Sequence, residues 1–71
     1  MKRITFVKIY DGKVHLTERR IDEEELNKTF DECVESFEKV CKEFGEFERD
    51  GYVSAKGNAL GIMYMLEVED V

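Results

Sequence analysis

The sequence predicts an α+β domain in which two β-hairpins flank one long amphipathic helix, in the order ββαββ. Three observations predict this order: the pair Asp11-Gly12 between two β-rich runs, an apolar stripe at helical spacing over residues 23–44, and the pair Gly57-Asn58 between two further β-rich runs. With 71 residues, the chain is long enough for one small apolar core. The predicted elements of this single domain, residues 1–71, are a hairpin at 3–21, a helix at 23–44 and a hairpin at 46–69.

The first hairpin is predicted from Asp11-Gly12, because both positions of a two-residue type I′ loop need positive φ. This loop places Tyr10 opposite Lys13 and, by alternation, divides the hairpin into two faces. We expect one of these faces to pack on the helix and to continue into the second hairpin. The predicted members of the covered face are Val7, Ile9, Val14, Leu16, Val53, Ile62, Tyr64, Leu66 and Val68.

The helix is the strongest signal in the chain. Asp22 is the predicted N-cap, and Glu25 three residues later suits an acidic form of the capping box. Ile21 and Leu26 suit a hydrophobic staple across that cap. Gly45 is expected to end the helix in the left-handed conformation. The apolar stripe consists of Leu26, Phe30, Cys33, Phe37, Val40 and Phe44, widened by Val34 and Cys41.

The second hairpin has two possible turns. The pair Gly57-Asn58 suits a two-residue loop and collects the apolar residues of both arms on one face. A turn at Asp50-Gly51 would instead make a three-stranded meander. That turn would separate Phe47 from the apolar face, so we favour a bulge or bend at Gly51 and a turn at Gly57-Asn58.

The strand order is predicted from the polarity of the runs. Residues 4–10 and 62–66 are almost continuously apolar, whereas residues 13–20 and 46–56 are more polar. Continuous apolar runs are typical of central strands. The pattern therefore resembles a β-grasp-like, four-stranded sheet of order 2-1-4-3 with the helix across one face.

One helix leaves the other face of such a sheet uncovered, and we predict a partner or dimer interface there. Basic residues of the first hairpin would share this face with acidic residues of the second, so a two-fold axis could lay one over the other. We therefore predict a homodimer. The apolar residues of the predicted interface are Ile4, Phe6, Tyr10, Tyr52, Met63 and Met65. The charged residues are Lys8, Lys13 and Arg19 on the basic side, and Glu46, Glu48, Asp50, Glu67 and Glu69 on the acidic side.

The charge of the chain favours a small acidic protein-interaction module of the regulator or inhibitor type. The formal net charge is −6, and much of it lies on the helix. A row of helical carboxylates is ordinarily a solvated face, but it can also steer the protein toward a basic partner. The predicted charged partner surface is Asp31, Glu32, Glu35, Glu38 and Glu43.

The alternative function is single-stranded nucleic-acid binding by the first hairpin, where aromatic rings could stack on bases and basic side chains could meet phosphates. The sequence pI of about 4.7 opposes this function. The predicted nucleic-acid face is Phe6, Lys8, Tyr10, Lys13, His15 and Arg19.

The sequence shows no catalytic or metal-binding pattern. Cys33 and Cys41 lie about 12 Å apart along one helix, beyond the roughly 7 Å limit for a disulfide. His15 is the only histidine, and it is predicted on the sheet face opposite the cysteines. No apolar run approaches the roughly 20 residues of a membrane span. We expect a cytoplasmic protein that is not an enzyme and has no cofactor.

Overall fold

The fold, seen in a computed structural model that describes all residues from Met1 to Val71, is one helix against one five-stranded antiparallel sheet. The α+β class is confirmed. The four-stranded sheet is wrong, because three strands follow the helix instead of two. The elements are β1 Lys2–Tyr10, β2 Lys13–Ile21, α1 Glu23–Phe44, β3 Gly45–Asp50, β4 Ser54–Ala59 and β5 Ile62–Asp70.

The strand order is β2-β1-β5-β4-β3, so the predicted order 2-1-4-3 is wrong. The first and last strands are neighbours, with Ile4 opposite Val68. The additional strand reverses the direction in which the chain enters β5, and β5 therefore runs antiparallel to β1. The β-grasp-like arrangement is replaced by a fully antiparallel sheet.

The register of the first hairpin is as predicted, but its faces are exchanged. Asp11 and Gly12 have φ values of 52° and 71°, and Tyr10 lies opposite Lys13. We call the face of the sheet that the helix covers the helix side and the other face the open side. Ile4 is buried on the helix side, and the Phe6 ring stacks on Phe37 of the helix. Alternation shows which residues share a face, but both faces of β1 are apolar, so it does not show which face meets the helix.

Because the faces of the first hairpin are exchanged, the residues of the predicted covered face lie on both sides of the sheet. Ile62, Tyr64, Leu66 and Val68 pack in or against the core as expected. Val53 lies in an exposed turn. The members that lie on the open side instead are Val7, Ile9, Val14 and Leu16.

The helix α1 has the predicted bounds and the predicted N-cap residue, but the predicted capping hydrogen bond and left-handed stop are absent. Asp22 is extended at the N-cap position, but its side chain makes no capping hydrogen bond. Gly45 has φ −165°, so the predicted left-handed stop is wrong and β3 begins directly there. A Cβ at Gly45 would lie 1.8 Å from the Asn58 carbonyl oxygen. Glycine is needed at this position for close approach between two strands.

Aromatic rings centred on Phe37 join the helix to the sheet. The Phe37 ring lies 4.9 Å from Tyr64, 5.7 Å from Phe6 and 5.9 Å from Phe47, measured between centroids. Phe37 is fully buried, as is Phe30 about two helical turns earlier. Loss of such a buried ring costs about 3–5 kcal/mol. The core therefore lies between α1 and the helix side of β1, β3, β4 and β5.

The chain after the helix forms the meander that the sequence analysis disfavoured. Residues 51–53 form a three-residue turn, and Phe47 lies opposite Gly57. This loop has one residue more than a two-residue turn at Asp50-Gly51 would have, and the additional residue places Phe47 on the helix side. The second turn lies at Leu60-Gly61, not at Gly57-Asn58, which is inside β4.

Gly57 supplies space for the helix, and this gives a first prediction. A Cβ at this position would lie 2.8 Å from both Cys41 Sγ and the Glu46 carbonyl oxygen. We expect Gly57→Ala to lower the free energy of unfolding by about 1–3 kcal/mol in urea denaturation. The control Asn58→Ala, on the exposed open side, is expected to change it by about 0.5 kcal/mol or less. Wild-type stability of Gly57→Ala would contradict this packing.

Leu60 has a left-handed backbone conformation that is unfavourable for leucine. It has φ 52° at the tip of the β4–β5 turn and is 70 % exposed. The left-handed conformation costs an L-residue roughly 1–2 kcal/mol, and asparagine adopts it more readily. Leu60→Asn is therefore expected to raise the free energy of unfolding by about 1 kcal/mol. Leu60→Ala keeps the strained conformation, and if it stabilised the protein as much as asparagine does, backbone strain would not be the cause.

Candidate functional site

The open side of the sheet carries one contiguous apolar patch. In one row, Val7 lies between Leu16 of β2 and Met65 of β5. In the next row, Ile9 lies between Val14 and Met63. Side chains directly opposite each other on one face of an antiparallel pair are in contact range. We call these six residues the open-face patch: Val7, Ile9, Val14, Leu16, Met63 and Met65.

No element of the chain covers the open-face patch. Val14 is 64 % exposed, Leu16 58 % and Met63 51 %. The helix packs on the other side of the same strands. Apolar side chains at this level of exposure add little to the stability of the core. A partner that covered them would gain the free energy of removing their apolar area from water.

Charged residues border the patch on the β4 side and toward one end of the sheet. In β4, Lys56 lies beside Met65 and forms an ion pair of 3.3 Å with Glu48 of β3. Glu18 and Glu67 follow Leu16 and Met65 toward the other end of the sheet. A hollow of about 650 Å³ extends from Met65 over β3 and β4, and its lining includes the charged residues Glu48, Asp50, Lys56 and Glu67. The open side is thus an apolar centre with a charged margin.

The predicted interface residues do not form one surface. Met63 and Met65 lie on the open side, as expected. Ile4 is buried and Phe6 stacks on the helix, so placing them on the uncovered face is wrong. Tyr10 belongs to the helix side of β1. Tyr52 lies in the 51–53 turn, where its ring contacts Phe30 edge-on at 5.5 Å.

The two charged sets predicted to pair across a dimer lie on opposite sides of the sheet. On the open side are Glu46, Glu48, Asp50, Glu67 and Glu69, as predicted. On the helix side are Lys8, Lys13 and Arg19, which alternate with the open-face residues of the first hairpin. The charge complementarity expected for a face-to-face homodimer is therefore absent, because the first hairpin is turned over.

The predicted acidic helix surface is only partly free. Arg49 of β3 donates to Asp31 at 2.7 Å, and Tyr52 Oη donates to Asp31 at 3.3 Å. The hydrogen bond that Arg49 donates to the Asp31 carboxylate raises the pKa of Arg49. Glu38 pairs with Lys42 one turn later. Asp31 thus holds the 51–53 turn against the helix, and the exposed carboxylates of this set without an ion pair are Glu32, Glu35 and Glu43.

The predicted nucleic-acid face is largely assembled on the helix side of the first hairpin. The Tyr10 and His15 rings stack at 4.9 Å, and Lys8 Nζ lies 5.2 Å from the Tyr10 centroid. Lys13 and Arg19 share this side. Phe6 does not, because its ring is packed under the helix.

Strand β2 is the one strand that the helix does not cover. All of its residues except Ile21 are exposed. A groove of about 190 Å³ separates it from the helix, lined by Ile4, Phe6, Thr17, Arg19, Thr29 and Cys33. We call Lys13, His15 and Arg19, on the helix side of β2, the basic row. None of these three side chains forms an ion pair.

The cysteines are free and carry no sign of nucleophilic activation. Burial raises the pKa of the Cys41 thiol. It also raises the pKa of the Cys33 thiol, against the opposing charge of Arg19. Both groups are therefore protonated thiols at neutral pH. His15 lies on the helix side rather than on the predicted opposite face, but it makes no hydrogen bond to either cysteine.

No group of three or more His, Cys, Asp or Glu side chains is arranged to hold a metal ion. The single helix is too polar to cross a membrane. Comparisons with protein-family models, with curated proteins and with solved structures gave no match.

Proposed function

We propose that the protein is a small protein-interaction module of the regulator or inhibitor type, and that it binds its partner through the open-face patch. The observation that carries this proposal is the pair of apolar rows on a face that no part of the chain covers. The core on the helix side already contains the buried aromatic residues. The patch is thus apolar surface beyond what the fold needs.

The residue types of the patch support a binding role. Valine and isoleucine are favoured in strands for their shape alone, so Val7, Ile9 and Val14 have an ordinary explanation. Leu16, Met63 and Met65 have no such preference. Methionine is flexible and polarizable, and it is common on surfaces that adapt to a partner.

The layout also supports this role. Protein interfaces have an apolar centre and a polar rim, as the open side has. The open-face patch spans three strands about 4.8 Å apart and two rows about 7 Å apart. It therefore covers roughly 200 Å² in projection. A stable interface buries about 800 Å² on each partner. A partner bound here therefore also contacts the charged margin, and the solvated helical carboxylates Glu32, Glu35 and Glu43 remain a secondary, charged surface for it.

The proposal predicts that binding depends on the open-face patch. We expect the double variant Leu16→Lys, Met63→Lys to lose a partner that the wild type enriches from native cell extract and that is then reconstituted with it from purified components. The matched control Val53→Lys, at an exposed position of the 51–53 turn, should retain that partner. Neither change touches the core, so the melting temperature should shift by less than about 5 °C. Undiminished binding of the reconstituted partner by the double variant would refute the proposal.

The predicted homodimer is tested on the same proteins. Light scattering at about 100 μM, roughly the range for a weak self-interface, distinguishes one chain from two. If the open-face patch binds a second copy, the wild type and Val53→Lys are dimers and the double variant is a monomer.

Single-stranded nucleic-acid binding is a second candidate, supported by the stacked Tyr10 and His15 rings beside Lys8, Lys13 and Arg19. The net charge of −6 and the loss of Phe6 to the core place it below protein binding. If it is correct, a single-stranded RNA oligonucleotide binds with an affinity that falls steeply with salt. Arg19→Glu would weaken that binding, whereas Glu32→Lys would not. An oligonucleotide that stays unbound at low salt and high protein concentration would exclude this function.

A further inference from the structure

Strand β2 is a free edge of the sheet. It has nine residues, Lys13 to Ile21, and pairs with β1 alone. Residues that flank a two-residue loop exchange hydrogen bonds, so Tyr10 and Lys13 are bonded, and so is every second pair along the hairpin. The residues whose backbone N–H and C=O groups point away from β1 are therefore Val14, Leu16, Glu18 and Arg20.

The two sides of this edge differ in chemistry. On the open side, Val14 and Leu16 are the outermost members of the open-face patch. On the helix side, the basic row lacks carboxylate partners. A strand added beside β2 would place alternate side chains on these two sides. Apolar side chains would then extend the patch, and acidic side chains would face the basic row.

We propose that β2 binds an extended segment of a partner protein in which apolar and acidic residues alternate, by adding that segment as a sixth strand. This inference rests on the proposed protein-binding function and names the form of the partner. Main-chain hydrogen bonds to the outward groups of β2 supply affinity, and the two rows of side chains supply specificity.

A second copy of this chain fits β2 poorly in either orientation. In an antiparallel pair with both helices on one side, centred on Thr17, His15 of one copy falls opposite Arg19 of the other. Neither basic row then gains a carboxylate partner, and on the open side Leu16 of each copy falls opposite Glu18 of the other. If one copy is turned over, its basic row meets Val14 and Leu16 of the other. A separate acidic segment avoids both conflicts.

The other edge of the sheet does not compete for such a segment. Strand β3 is shorter, with six residues. Its open side carries Glu46, Glu48 and Asp50, which repel an acidic strand. The net charge of −6 acts against any acidic ligand at long range, but physiological salt screens charges beyond about 8 Å. Contacts at β2 therefore decide the binding.

The test uses a nine-residue peptide that alternates valine and glutamate, titrated into the ¹⁵N-labelled full-length protein. We expect amide shifts centred on Val14, Leu16, Glu18 and Arg20. A valine–lysine peptide should bind roughly ten-fold more weakly, since ion pairs with Lys13 and Arg19 of up to about 1 kcal/mol each are lost. A peptide N-methylated on the edge that bonds β2 should not bind.

Two protein variants complete the test. Lys13→Glu with Arg19→Glu should reverse the preference between the glutamate and lysine peptides. The control Lys28→Glu with Lys39→Glu, on the exposed face of the helix, makes the same charge change and should leave the preference unaltered. Because all four positions are exposed, folding is retained in both variants.

The outcomes separate this inference from the proposed function. Absence of peptide binding at about 1 mM, equal binding of the N-methylated peptide, or shifts away from β2 would overturn strand addition. Binding of micromolar single-stranded RNA at β2 with no binding of the peptide would overturn it in favour of the nucleic-acid function. If the natural partner is lost with Leu16→Lys, Met63→Lys but no peptide binds, only the strand-addition inference fails. If the peptide binds β2 but that double variant keeps the natural partner, the open-face patch proposal fails.

Discussion

The stack of aromatic rings around Phe37 determines the rest of the structure. Phe6, Phe37 and Tyr64 are joined by near-parallel contacts of 4.9–6.5 Å between centroids. These rings come from β1, the helix and β5, so they connect the two ends of the chain to its middle. Aromatic pairs contribute beyond the area they bury. A first hairpin with its faces the other way would offer Val7 and Ile9 to Phe37 and lose these ring contacts.

The orientation of the first hairpin has a direct consequence for the surface. Because Ile4 and Phe6 face the helix, Val7 and Ile9 must face away from it, and they carry Val14 and Leu16 with them. The same alternation moves Lys13, His15 and Arg19 to the helix side. One packing choice in the core thus creates both the open-face patch and the basic row.

The position of the helix creates the free edge. Helix α1 packs on β1, β3, β4 and β5 and leaves β2 at the side. Gly57 lets Cys41 approach β4 closely, which draws the helix toward that half of the sheet. The strand with the most open edge is therefore also the one with uncovered side chains on both faces.

The sequence by itself determined the local features of this protein. These were the α+β class, the bounds of the helix and the register of the first hairpin, because apolar spacing and the Asp11-Gly12 loop act over a few residues. The tertiary structure decided the faces of that hairpin, the second turn and the membership of the candidate site. Both faces of β1 are apolar, and only contact with Phe37 selects between them. Gly57-Asn58 was the better local turn, but Gly57 is required beneath Cys41, and the chain turns instead at Leu60, whose positive φ no sequence rule favours.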